Sequence, residues 1–170
     1  MRAPVSAGAL VLKMGRVAGD ALRALFREIP SPVAVVTVDV SGQAAGLTVD
    51  SFVPLSLEPP LVGLALRRHA ALHELVREAG AFAVSVLASG QEHLAQHFAR
   101  GVPPIALWTG IETSPGELGA PLLDGALGWL ECRLSSEVDA GDHTFFVGAV
   151  EVARRGPGPE ALVHLRREYS

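Results

Sequence analysis

The chain has 170 residues, 49% of them hydrophobic and 19% charged, with Lys and Arg at 14 against Asp and Glu at 18, a formal net charge of -4. That length suits one domain with a substantial core, and the charge balance argues against a nucleic-acid surface, which needs clustered cations. No run of about 18 uncharged apolar residues occurs, so no spanning helix and no membrane partner are expected; the single cysteine, Cys132, leaves no internal disulfide and fits a reducing cytosol.

Residues 1–18 read as a flexible N-terminal arm, small and apolar at first, then interrupted by Lys13, Gly15 and Arg16, too weak a run for a secretory signal. Residues 19–170 read as one folded unit. Asp20 is placed to cap a helix running to Ile29, with Leu22, Leu25, Phe26 and Ile29 on one face. Pro30-Ser31-Pro32 ends it. Val33 to Val40 is rich in β-branched residues, and after the turn Ser41-Gly42-Gln43 the chain returns through Ala44 to Phe52 as the second arm of an antiparallel hairpin.

That return arm holds the stretch around which the rest is organised, Gly46-Leu47-Thr48-Val49-Asp50-Ser51-Phe52. Alternation along a strand turns Leu47, Val49 and Phe52 towards a core and leaves Thr48, Asp50 and Ser51 to offer hydroxyls, a carboxylate and backbone N–H groups to a ligand. An extended connection, a Pro59-Pro60 corner and a buried strand over 61–66 follow. Arg67-Arg68-His69 leads into a helix that Gly80 terminates. Residues 81–87 read as a strand, 90–98 as a helix, and 101–118 as the most loop-like part of the chain. Strands over 128–134 and 144–152 are joined through the tight turn Asp139-Ala140-Gly141-Asp142-His143, and 161–169 closes the chain as a short strand or closing segment. Many short strands with few helices and no internal repeat point to a mainly β, mostly antiparallel barrel with helices at its ends.

Gly141-Asp142-His143 is the strongest chemical candidate: the carboxylate can hold an imidazole tautomer where a turn meets a strand. By itself it reads as an ordinary surface turn. The pairs His69/His73 and His93/His97 have a metal-binding spacing on a helix, but no Glu follows His93 in the zincin manner, so no metal is expected. Neither a P-loop nor a Rossmann glycine pattern is present. Trp108, Trp129 and Cys132 read as packing residues.

The organising stretch, followed by Ser56-Leu57-Glu58-Pro59-Pro60-Leu61, resembles the cofactor strand of the flavin reductase-like family, the FMN-binding split β-barrel proteins. The resemblance extends in order from Leu22 to Tyr169: Val35-Val36-Thr37, Phe82-Ala83-Val84-Ser85-Val86-Leu87, the helix with Gln91, Leu94 and Phe98, Pro121-Leu122-Leu123, Trp129-Leu130-Glu131-Cys132, the Gly-Asp-His turn and the closing Tyr169. It implies a split antiparallel β-barrel of Greek-key topology with a few peripheral helices, and a cytoplasmic homodimer. The implied activity is NAD(P)H:flavin oxidoreduction, with FMN or FAD as the flavin and NADH or NADPH as hydride donor. Reduced flavin would pass to a partner monooxygenase. Carried over by position, Ala45, Gly46, Leu47, Thr48, Asp50 and Ser51 would line the flavin. Leu66 and Arg67 would follow, with Arg68 and His69 in the phosphate loop and His97 and Phe98 at the far side. His143 would lie beside the flavin and the incoming nicotinamide. Asp50 departs from the family's Asn or Gln, and Ala70 and Ala71 replace the usual phosphate-binding side chains. A barrel that binds flavin without turning over NAD(P)H is the alternative.

Overall fold

A computed structural model describes residues 19–100 and 104–170; the arm expected over 1–18 lies outside the described residues. In chain order the elements begin with α1 (Gly19–Phe26), β1 (Ser31–Pro32), β2 (Ala34–Val40), β3 (Gln43–Val49), β4 (Phe52–Leu57) and β5 (Pro60–Arg67). Next come α2 (Ala71–Ala79), β6 (Ala81–Val86), α3 (Glu92–Ala99), α4 (Pro104–Leu107), β7 (Thr113–Pro115) and β8 (Pro121–Leu123). The long hairpin of β9 (Gly128–Ala140) and β10 (His143–Arg155) precedes the short one of β11 (Val163–Leu165) and β12 (Glu168–Tyr169).

Seven strands form one antiparallel sheet in the order β3-β2-β6-β9-β10-β5-β4. Its two edges, β3 and β4, are neighbours in the chain, separated only by Asp50 and Ser51. A link of three Cα steps reaches about 11 Å at most. The edges of a flat seven-stranded sheet would stand roughly 29 Å apart at about 4.8 Å per strand. The sheet must therefore curl until its edges nearly meet at the Val49–Phe52 end. The barrel is closed there by the chain and not by a ladder, which is what makes it split. β6 departs from the β4–β5 pair to lie beside β2, and β10 returns to lie beside β5, giving the Greek-key crossing.

The barrel interior is filled by Val36, Val38, Leu64, Phe82, Val84 and Phe146, with Leu72 and Val76 of α2 stopping one end. A second cluster lies on the outer face of β2, where Val33 and Val35 pack under Leu94, Ala95 and Phe98 of α3, with Leu87 and Leu162 beside them. β2 is thus buried on both faces, which its unbroken β-branched run predicts.

The structure departs from sequence expectation in several places; the strand expected over 128–134 runs to Ala140, which leaves Gly141 and Asp142 as the turn. Asp20 lies inside α1, which ends at Phe26 and buries no residue; Leu25 and Phe26 are each 60% exposed. The stretch after Ser51, expected as a connection, is the edge strand β4 paired with β5. The part of 101–118 that is described contains α4 and β7.

Candidate functional site

Antiparallel register puts His143 opposite Arg67 and Thr144 opposite Leu66. A two-residue turn, with Gly141 at φ 67°, brings β9 into β10 there, and its carbonyl at Asp142 accepts the Arg68 N–H at 3.1 Å. The turn is therefore stapled to the end of β5. His143 Nδ1 donates to Asp142 Oδ1 at 2.7 Å, which leaves Nε2 of a one-third-exposed imidazole for the cleft. The hydrogen bond from His143, then its charge and that of Arg67, hold the Asp142 carboxyl below the ordinary carboxylate range.

In front of this pair the β3–β4 link forms the wall of a cleft of about 300 Å³, bordered by Thr48, Asp50, Ser51, Leu66, Arg67 and His143, with Leu47 at its margin. A larger cleft of about 490 Å³ shares Asp50, Arg67 and His143 and continues beneath α1 to His164 and Arg166. A smaller one of about 190 Å³ shares Thr48 and Asp50 and is closed by His164 and Tyr169. Asp50 borders all three.

The hydroxyls expected to face a ligand already have partners. Thr48 Oγ1 donates to the Ala95 carbonyl and Ser51 Oγ to the Ala65 carbonyl, both at 2.7 Å. What they offer the cleft is oxygen lone pairs, not protons. Asp50 and Ser51 stand outside both strand ladders.

Several sequence-nominated residues sit elsewhere. Ala45 packs against the barrel interior. Gly46 faces the Phe98 ring, which a Cβ would meet at 2.8 Å, and Phe98 itself is buried. His97 donates from Nε2 to the Leu107 carbonyl at 2.7 Å. Arg68 pairs with Asp139 at 3.1 Å, and His69 is exposed at the turn before α2. Sequence reasoning did not place Arg23, Arg27, Ser31, His164 or Arg166 at the cleft, because these residues are far from the organising stretch in the chain and no local pattern joins them to it.

Of the two histidine pairs, His69 and His93 are exposed and the other member of each is engaged. His73 is buried against Phe146 and hydrogen-bonded to Thr144 and Glu74. Among the described residues no group of three metal-ligating side chains forms. Trp108 and Trp129 donate to the Ala44 and Leu123 carbonyls. Burial, then the charge of Glu131, pushes the Cys132 thiol up to about 12, so it stays protonated and unreactive.

Fold and site together define a split antiparallel β-barrel with a ligand cleft at its seam. The family model for the flavin reductase like domain matches residues 26–170, and the chain belongs to that family. It is 41% identical over 145 residues to the NADH-dependent FAD reductase of Streptomyces globisporus, covering 84% of this chain and 79% of that one. With the reductase component of 4-hydroxyphenylacetate 3-monooxygenase from Thermus thermophilus it shares 38% identity over 150 residues, 88% of this chain and 94% of the relative. The solved structure of the Streptomyces globisporus C-1027 NADH:FAD oxidoreductase SgcE6 superimposes with a TM-score of 0.86 at 37% identity, covering 92% of this chain and 94% of that chain.

Proposed function

We propose that this chain is an NAD(P)H-dependent flavin oxidoreductase that supplies reduced flavin to a two-component monooxygenase. The observation that carries the reading is the opposition of Arg67 and His143 at the mouth of the cleft, facing the Asp50–Ser51 link. A flavin fits this lining. Arg67 offers a guanidinium to its phosphate, the link offers backbone N–H groups to its carbonyl edge, and Asp50 and the Thr48 and Ser51 oxygens offer acceptors to its ribityl hydroxyls. FMN and FAD share all of these groups. When bound, the flavin supplies a two-electron acceptor and reduced nicotinamide the hydride.

The chain's own contribution is positional. Asp142 keeps the proton on His143 Nδ1, so the imidazole presents Nε2 in one orientation. Leu66 and the β3–β4 link form the apolar and polar walls of the cleft. We take residues 19–170 as the unit that carries the activity. The exposed apolar side chains of edge strand β4 (Val53, Leu55 and Leu57) favour a homodimer that covers them. Cys132, buried and the only cysteine, suits the reducing cytoplasm. Among the described residues no helix is long and apolar enough to cross a membrane.

The test is NADH and NADPH consumption by purified protein with and without added FMN or FAD. Flavin-dependent oxidation of either nucleotide supports the reading. Flavin binding without turnover would make the chain a binding barrel instead.

A further inference from the structure

Asp50 is fixed by its neighbours and not by its own side chain. It lies between β3 and β4, outside both ladders, with Val49 buried before it and Ser51 Oγ tied to the Ala65 carbonyl after it. Its carboxylate is exposed and joins none of the ion pairs among the described residues. Yet it borders the compartment of about 300 Å³ at the seam and both of the compartments beside it.

Few charges border the seam. Besides Asp50, the titratable groups lining this compartment are Arg67 and His143. His143 is bonded to Asp142. On the reductase reading Arg67 takes the flavin phosphate. With those two pairs made, the Asp50 carboxylate is the formal charge left facing the ring. Of the further cations at the adjoining cleft, Arg23 and Arg166 are paired with Asp20 and Glu28. Arg27 borders that cleft but not the seam compartment.

The flavin changes charge in the reaction. Hydride transfer breaks the nicotinamide C4–H bond and forms a flavin N5–H bond; the electron pair moves with the hydrogen, so the nicotinamide becomes a cation and the flavin an anion. While both products stay bound, their charges cancel and Asp50 acts on both at once. When the oxidised nucleotide leaves, a carboxylate faces an anion alone, and like charges a few ångströms apart at a solvated site change affinity severalfold. We propose that Asp50 sets the redox-state preference of the flavin site: its carboxylate weakens the hold on reduced flavin relative to oxidised flavin, so that reduced flavin leaves the cleft as a product. The inference rests on the reductase reading and gives Asp50 a part in discrimination between the two flavin states, not in hydride transfer.

Asp50→Asn removes the charge at nearly constant shape, and Asp50→Glu keeps it. The Kd values for oxidised FMN and for dithionite-reduced FMN are measured under anaerobic conditions without nicotinamide, so that binding is read independently of turnover. The ratio of the reduced to the oxidised Kd is expected to fall roughly three- to tenfold in Asp50→Asn, to stay near the native value in Asp50→Glu, and to differ less between native protein and Asp50→Asn as salt is added. A tenfold change in a two-electron couple corresponds to about 30 mV, so the midpoint potential of bound FMN should rise by about 14 to 30 mV in Asp50→Asn. An unchanged or increased ratio in Asp50→Asn overturns the proposal, and flavin-dependent NADH oxidation in the same preparation would show that the reductase reading survives it. A ratio that falls equally in Asp50→Glu overturns it in favour of side-chain shape. If the ratio shifts as expected in a protein that oxidises neither NADH nor NADPH, the redox-state preference stands and the reductase reading fails. If FMN and FAD bind in neither state, both fall.

Discussion

Arg67 and His143 occupy directly opposed positions of the β5–β10 ladder, the last residue of one strand facing the first of the other. Opposed residues of an antiparallel pair share a face with their Cβ atoms about 5 Å apart. A guanidinium and an imidazole are therefore set side by side by backbone register, before any side-chain contact is made. The same register explains why they were found in widely separated sequence motifs.

His143→Ala should slow NADH-dependent flavin reduction more than it weakens flavin binding. The imidazole is oriented by Asp142 and borders the cleft, where on the proposed reading it would position the reacting pair. The rate should fall roughly ten- to a hundredfold, the scale expected when reacting groups are misplaced, while the flavin Kd changes little. Rapid-mixing kinetics beside fluorescence titration measure both; equal losses would assign His143 to flavin binding alone.

Asp50→Asn should leave the fold intact and tighten FMN. Asp50 is exposed, borders all three cleft compartments and puts a carboxylate where the proposed function would seat an anionic flavin. Removing a like charge at a solvated site is worth on the order of fivefold in affinity, and the gain should shrink as salt is added. Weaker FMN binding in the variant would instead show that Asp50 accepts a needed hydrogen bond.

How much of this was legible in sequence depended on how local the signal was. The β2–β3 hairpin, α2 ended by Gly80 at φ 64°, and the Gly141 turn were readable because each is dictated within a few residues. The β4 strand was not, since its pairing with β5 runs through a bulge and past a Pro-Pro corner. The amphipathic pattern of α1 was real, but it predicts burial only where something covers the helix, and here the stripe borders a cleft. At the site, alternation correctly turned Thr48 and Asp50 outward from the interior, yet it could not reveal that α3 would take the Thr48 proton through Ala95. The burial of His73 was not legible because its partner, Thr144, lies 71 residues away.

Stability should fall on the acid side through two carboxyls. Asp142 is held below its ordinary value of 3.8, chiefly by the hydrogen bond from His143. Glu74 lies below its ordinary 4.5, chiefly through the hydrogen bond with His73 and then that with Arg77. A carboxyl whose pKa is lower folded than unfolded binds more protons when unfolded. Its contribution is complete above the ordinary value and is lost as pH falls through the folded one. The Tm should therefore be insensitive to these groups at neutral pH and decline below about 4.5. The Asp142→Asn, Glu74→Gln double variant should show a shallower decline over the same range, and an unaltered slope would exclude both groups.

Gly148→Ala should destabilise the barrel without touching the cleft. A Cβ there would stand 2.5 Å from the Phe82 ring and 2.8 Å from the Cys132 Cβ, deep in the interior. Overpacking of a filled core costs about 1–3 kcal/mol. Chemical denaturation should show that loss, while the flavin Kd at a temperature where the variant is folded stays near the native value. A neutral substitution would mean that Phe82 has room to rotate.

Thr144→Val tests whether α2 holds β10, and so the neighbouring His143, in register. His73 Nδ1 lies 2.7 Å from Glu74 Oε1, a carboxylate oxygen that can only accept, so in the neutral ring the proton is on Nδ1 and Nε2 accepts the Thr144 hydroxyl at 2.8 Å. Both side chains are buried, with the Phe146 ring and the imidazole in an edge-to-face arrangement and the Arg77 guanidinium over the Phe146 ring. Valine keeps the volume but removes the donor, leaving a buried ring nitrogen unpaired at a cost of about 1–3 kcal/mol. Thr144→Ser restores the hydroxyl and should recover most of that stability, the remainder being the lost methyl. Urea unfolding of the three proteins decides it. If the valine variant equals the native protein, the His73 contact contributes nothing to holding the strand, and the placement of His143 rests on the β5 ladder and the Arg68–Asp142 staple alone.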